Sequence, residues 1–294
     1  APLEAYRPLY RLAVVPEGLR QWLDGALVAG RLGKSRVVID GPVADLPYPR
    51  GRGALRVRAP VTGLHLRYLP EWLPVTGGQG VLTVDRERLR FAADGGRILS
   101  SPIRELAVTV GDLTARNPVL RLEGDMALDL ADGAEFLERS PLLKPGAWGP
   151  IQPVGPARLQ LGLSAVLGPA GAEVPEERVQ TWGQVDLRGA AVDLGGGRDP
   201  LVNLQGTVAF DGRQLNADPL TGEFRGQPVT ATVRTAARDA PWRFHAETAL
   251  PGRDLQQGLL PGLSPRLLGW LQMRLEGALQ PDGRGRYRLG GDLT

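Results

Sequence analysis

Hydrophobic and polar residues alternate with a period of two along most of this chain. From Leu120 the even positions read Leu120, Leu122, Gly124, Met126, Leu128 and Leu130, and the odd positions between them read Arg121, Glu123, Asp125, Ala127 and Asp129. A strand turns successive side chains to opposite sides, so this stretch has one oily face and one mostly charged face. Leu55, Val57, Ala59 and Val61 repeat the pattern on odd numbers, with Arg56 and Arg58 between them, as do Leu159, Leu161, Leu163, Ala165 and Leu167. Val202, Leu204, Gly206, Val208 and Phe210 follow on even numbers, then Val229, Ala231 and Val233, then Trp242, Phe244 and Ala246. Met273 with Leu275 and Tyr287 with Leu289 carry it to the end. The pattern predicts a mainly β fold of antiparallel strands, each with one apolar face.

A hairpin is predicted where Asp211-Gly212 follows Phe210, because Asp-Gly suits a two-residue turn. That turn would pair Phe210 with Arg213 and Val208 with Leu215, with Val208, Phe210 and Leu215 on one face. Helices are few and short. Leu19, Trp22, Leu23, Ala26 and Leu27 have helical spacing in a segment running to Val28. A second short helix through Phe136 and Leu137 is predicted with Asp132 as its cap, and a third near Pro265–Leu271. Residues 140–156 hold Pro141, Pro145, Pro150, Pro153 and Pro156 and read as a linker or crossover.

The chain also repeats itself. Gln79–Leu89 (QGVLTVDRERL) matches Gln205–Leu215 (QGTVAFDGRQL) at an offset of 126, and Arg-Leu-Glu-Gly occurs at both 121–124 and 274–277. Repeated supersecondary units that stack on their neighbours make quasi-one-dimensional bodies. The predicted organisation is a first repeat region over 1–140 with a short N-terminal helix, a Pro-rich linker or crossover over 141–156, and a second repeat region over 157–294.

Composition narrows the chemistry. Gly 40 and Pro 26 among 294 residues suit short strands joined by turns. A net charge of +3 is too small for a nucleic-acid footprint, so no nucleic-acid partner is expected. There is no cysteine, which removes disulfides, thiolate metal sites and cysteine nucleophiles. The two histidines, His65 and His245, fall opposite the apolar residues of their strands and are expected to be solvated. Gly195-Gly196-Gly197 lacks the Lys-Ser/Thr of a phosphate loop and reads as a loop tip. Glu123, Asp125 and Asp129 lie on one strand side without a calcium-loop pattern. No catalytic residue, metal ligand or cofactor site emerges, so the chain does not read as an enzyme. It opens at Ala1-Pro2-Leu3 and stops at Thr294 with no apolar run of about 18–20 residues, and is read as an interior segment of a longer protein.

Many one-faced strands with few helices pose a physical problem. Apolar surface left in water costs about 25 cal/mol per Å2, and soluble monomers rarely expose patches beyond a few hundred Å2. The sheet folds onto itself as a sandwich, pairs with another chain, or forms a groove filled by a ligand with long apolar chains. The sandwich is the default, since most one-faced sheets make an ordinary core.

A family resemblance changes that default. Val15–Gly30 (VPEGLRQWLDGALVAG), Ile39–Tyr48 (IDGPVADLPY) and Tyr68–Pro74 (YLPEWLP) resemble segments of the YhdP branch of the AsmA-like proteins. Arg88–Phe91 leading to Gly95–Ile98, and the strand–turn–strand Asn203–Leu215, are similar to further segments of that branch. The resemblance spans nearly the whole chain, on motifs that are individually loose but ordered. It implies an elongated, curved antiparallel sheet, a repeating β-groove with a hydrophobic interior. It further implies a segment of a periplasmic, inner-membrane-anchored protein of a Gram-negative bacterium that carries phospholipid between inner and outer membranes. The implied partners are phospholipid acyl chains, with both membranes reached by segments outside this chain and envelope protein partners unidentified. The groove lining expected from strand parity is Val57, Leu82, Val84, Leu89, Phe91, Leu120, Leu122, Met126, Leu128, Leu161, Leu163, Leu204, Val208, Phe210, Phe244 and Leu275. The alternative is a structural or chaperone-like envelope module that assists outer-membrane protein assembly by binding strands at a sheet edge.

Overall fold

The computed structural model describes residues 2, 24–48, 53–68, 72–140, 151–167, 179–195, 197, 199–212, 214–236, 240–251, 269–279 and 285–293. The fold is mainly β and antiparallel, as the alternation predicts. Its strands are β1 (Leu27–Leu32), β2 (Arg36–Asp40), β3 (Ala54–Leu66), β4 (Val75–Asp85), β5 (Arg88–Ile98), β6 (Ser101–Val110), β7 (Val119–Asp129) and β8 (Gln152–Val154). They continue with β9 (Pro156–Val166), β10 (Val179–Asp193), β11 (Leu201–Asp211), β12 (Gln214–Phe224), β13 (Gln227–Thr235), β14 (Trp242–Pro251), β15 (Trp270–Leu279) and β16 (Gly285–Leu293). An α-helix, α1 (Leu130–Glu138), follows β7 directly.

The chain divides into two compact units, Ala1–Ala127 with Leu159–Trp182, and Leu128–Arg158 with Gly183–Thr294. In the first unit the strands form one ladder in the order β1-β3-β4-β5-β6-β7-β9, with β2 also beside β3. In the second the order is β10-β11-β12-β13-β14-β15-β16, with β8 beside β10. Most neighbours in each ladder are consecutive along the chain, which makes each a meander and not a pair of packed sheets.

The internal repeat is exact in its element bounds. Adding 126 to β4 and β5 gives β11 and β12, residue for residue. Both hairpins close with a residue of positive φ at the first loop position, Arg86 (φ 54°) and Gly212 (φ 57°). Both are bulged near their far ends, after Thr76 in β4 and after Val202 in β11.

Four local expectations are corrected. Asp211 stays in the ladder opposite Gln214, so the loop after β11 begins at Gly212 and not at Asp211. The one-residue shift sets Phe210 against Leu215 and Val208 against Ala217, apolar on apolar, so the expected face survives. The cap of α1 is Asp129, not Asp132: its carboxylate accepts the Ala131 N–H at 2.9 Å. At the N-terminal segment, Asp24–Ala26 are helical but Leu27 and Val28 open β1, because Leu27–Leu32 pairs with β3 instead of continuing the turn. Residues 19–23 of that predicted helix, and 265–268 of the third, lie outside the described residues; Trp270 and Leu271, expected at the third helix's end, begin β15.

Full burial is concentrated at strand ends and bulges. In the second unit Leu250 and Met273 form a buried pair, with Phe224 and Leu271 packed against it. In the first, Val61 and Leu64 are both buried although three residues apart. Gly63, with φ +61°, takes up the extra residue of a bulge there, so the inward parity switches from odd to even.

Candidate functional site: the apolar sheet face

Cross-strand partners share a face, so the register identifies what the sheet presents. In the first unit one row runs Val57, Val84, Leu89, Val110, Leu120 across β3 to β7. The next runs Ala59, Leu82, Phe91, Val108, Leu122, and a third Val61, Gly80, Ala93, Leu106, Gly124. Seven of the expected lining residues therefore occupy two adjacent rows. Met126 stands opposite Ile103 beyond a bulge in β6, and Leu128 follows it on the same parity. Leu161 and Leu163 share the odd parity of β9, whose end is tied to β7 by the Leu167 N–H donating to the Pro118 carbonyl at 2.7 Å.

The second unit repeats the arrangement. Val208, Ala217, Val233, Phe244 and Gly277 form one row across β11 to β15. Leu220, Ala231, Ala246 and Leu275 form the next. Phe210 heads a neighbouring row through Leu215, and Leu204 lies against Gly222, where an added Cβ would come within 2.7 Å of the leucine.

Exposure separates this face from an ordinary core. Of the sixteen expected lining residues only Leu204, at 7%, is buried; the other fifteen are half-buried. A two-sheet sandwich buries such residues fully against a second layer. Here each unit's strands form a single ladder, and although Ala59, Val61, Ala93, Val110 and Ala217 in these rows are buried, most of the larger side chains keep part of their surface open. The sandwich is overturned by this single-ladder topology.

Parity alone missed part of the face. Val108 and Val110 on β6 complete two rows, and the Leu106-Val108-Val110 alternation was the available signal. Val37 and Ile39 on β2 extend the apolar face opposite Val57 and Leu55, at 57% and 50% exposure.

The opposite face is polar, and neither histidine is simply solvated there. His65 is half-buried, and its Nε2 is enclosed without a hydrogen-bond partner. His245 lies between two carboxylates, Nε2 at 3.1 Å from Glu247 and Nδ1 at 3.3 Å from Glu276. Arg274 Nε donates to Glu247 at 3.0 Å, and this bond, with a lesser one from His245, holds the Glu247 carboxyl below its ordinary range. Gly195 N–H donates to Asp193 at 2.8 Å, the geometry of a turn and not of a phosphate loop.

Comparison with known proteins agrees with this face. A family model described as YhdP protein matches residues 3–289. The chain belongs to the YhdP family. A curated YhdP relative from Escherichia coli (strain K12), named intermembrane phospholipid transporter YhdP, is 22% identical over 220 residues. The match covers 74% of this chain but 17% of that YhdP protein, so the chain spans a small part of its length. No solved structure matches the chain. Among the described residues no group of three or more acidic or histidine side chains is placed to hold a metal ion, and no helix is long and apolar enough to cross a membrane.

Proposed function

We propose that this chain is one stretch of a phospholipid track, in which the apolar rows of each unit hold acyl chains. The observation that carries the reading is the combination of unbroken cross-strand apolar rows with half-exposed lining. Rows without a covering layer are stable in water only when something apolar occupies them. An acyl chain laid on them gains about 0.8 kcal/mol per buried methylene, and no polar specificity is needed for the tail. Movement along such a surface needs no catalytic residue. Family membership and the relative's name support phospholipid as the cargo. The working location is the periplasm, in a protein anchored in the inner membrane and reaching the outer membrane through segments outside this chain. The two repeat regions, 1–140 and 157–294, would then be successive parts of one track.

The test places a photo-crosslinking residue at Leu82, Leu122, Val208 or Leu275 and, as controls, at Ala209 or Arg274 on the other face. Phospholipid adducts are expected from the first set and not from the second. Equal labelling from both faces, or protein adducts in place of lipid from the lining set, would sink the reading.

A further inference from the structure

Behind the apolar rows of the first unit, a different row crosses the sheet. Arg58, Thr83, Arg90, Thr109 and Arg121 stand directly opposite one another on β3, β4, β5, β6 and β7. Strands lie about 4.8 Å apart, so each threonine sits midway between two arginine roots separated by about 10 Å. An arginine side chain is long enough to span half of that gap from either side. The three arginines are exposed, and Arg88 flanks Arg90 on the same face of β5.

The acidic groups nearby do not neutralise this row. Asp85 is 4.0 Å from Arg56 and stands between Arg56 and Arg88 in the neighbouring row, not in the row of Arg58, Arg90 and Arg121. Asp112 is committed to Thr114, accepting its N–H at 2.8 Å and its hydroxyl at 2.6 Å. Glu123 stands next along β7 from Arg121, and Glu87 lies in the β4–β5 turn with one oxygen enclosed. Among the described residues Arg58, Arg88, Arg90 and Arg121 make no ion pair. No ion pair among the described residues accounts for their placement.

The surface is also indented there. A depression of about 250 Å3 is lined by Thr83, Arg88, Arg90 and Thr109 with Asp85 at its side, and another of about 370 Å3 by Thr109, Asn117 and Arg121 with Asp112, whose carboxylate is taken up by Thr114. The repeat shows that the arginines are not demanded by the hairpin: 126 residues on, Thr83, Arg88 and Arg90 become Ala209, Gln214 and Asn216.

We propose that the outer face of the first unit binds phosphate groups, one over Thr83 between Arg58 and Arg90 and one over Thr109 between Arg90 and Arg121. A guanidinium fork meets two phosphate oxygens at once, and the threonine hydroxyl supplies a further donor beneath them. This site is independent of the lipid track, since it lies on the other side of the sheet. Whether the phosphate belongs to a lipid headgroup in a membrane or to a soluble compound is separated by two probes. The 294-residue chain is titrated with inorganic pyrophosphate, and is sedimented with phosphatidylglycerol vesicles against phosphatidylcholine vesicles. Arg90→Gln, shared by both positions, is expected to weaken binding at least tenfold, with Arg90→Lys intermediate. Arg243→Gln, the same charge change in the second unit, is expected to leave binding unchanged. Pyrophosphate binding lost in Arg90→Gln assigns the site to soluble phosphates; selective vesicle binding lost in the same variant assigns it to headgroups. No binding of either probe, or equal losses in Arg90→Gln and Arg243→Gln, overturns the proposal, provided the thermal melts of both variants match the parent.

Discussion

The β4–β5 hairpin of the first unit and the β11–β12 hairpin of the second have the same length, turn position and bulge sites, yet they agree on one face only. Val84 opposite Leu89 becomes Phe210 opposite Leu215, and Leu82 opposite Phe91 becomes Val208 opposite Ala217. On the other side, Arg88 and Arg90 become Gln214 and Asn216. The second unit's outer charges are mostly compensated within the fold: Arg234 with Asp218, Arg225 with Asp199, and Arg274 with Glu247. Period-two alternation makes this separation possible, because every second residue is free of the constraint that governs its neighbours. The shared face is what the strand–turn–strand unit is built around, and the other face is where two copies acquire different surfaces.

The comparison is broken most sharply by glycines at equivalent places in the two hairpins. A Cβ at Gly80 would lie 2.3 Å from the Ala92 carbonyl oxygen and 2.7 Å from the Ala93 Cα, both backbone atoms that cannot swing aside. Gly80→Val is expected to destabilise the first unit by about 3 kcal/mol or more, read as a lowered midpoint in denaturant unfolding. At Gly206, its counterpart 126 residues on, the close atoms are the Leu220 side-chain tip at 2.8 Å and the Pro219 carbonyl at 2.9 Å, with φ +127° adding strain. Gly206→Val should lower the second unit's stability to a similar or smaller extent, and a harmless Gly206→Val would mean the hairpins are not equivalent.

Charge placed in the lining comes next. Val84→Asp and Phe210→Asp occupy equivalent positions, and each is expected to reduce phospholipid retained through purification at least severalfold, measured by native mass spectrometry. If only one does so, the two units do not share a cargo surface. A smaller effect is expected for Leu275→Ala in the second unit: a half-buried leucine shortened to alanine should cost about 1–2 kcal/mol, since the site begins partly open, and a loss near 5 kcal/mol would indicate a closed core. The smallest effect concerns Glu247. Its carboxyl is depressed in the folded state, so its contribution to stability is present at pH values above the ordinary carboxylate range and is lost as pH falls through the depressed folded value. The Tm difference between the parent and Arg274→Gln should therefore be present at pH 7 and shrink below about pH 4; a difference that grows on acidification has the wrong sign for this pairing.

Much of the fold was legible because parity is a strong signal. Leu120, Leu122, Val208 and Phe210 needed only their neighbours' polarity to be placed on a face, and the register agrees. Where the chain inserts a residue, parity fails without warning: the bulge at Gly63 buries Val61 and Leu64 together. Turn position was misread by one residue at Asp211, since an Asp-Gly pair fits either as the loop itself or as the last ladder residue and first loop residue. Helix caps were harder still, for Asp129 and Asp132 both precede helical residues and only the accepted Ala131 N–H distinguishes them. What no alternation reveals is exposure. Leu204 and Leu161 read alike in the sequence, and only the tertiary arrangement leaves one buried and the other half-open.

The apolar rows cross the strands at right angles, and this sets how such a surface grows. Its length increases by about 4.8 Å with each strand added, whatever the strand's own length, so duplicating a hairpin lengthens the path by about 10 Å without disturbing a contact already made. Its width is fixed instead by residues per strand, which give room for three parallel rows. Gly80 and Gly124 interrupt one of these rows, and the two beside it pass the interruption unbroken. A surface of this kind tolerates point defects as a multi-lane road does: traffic stops only when every lane is closed at the same strand.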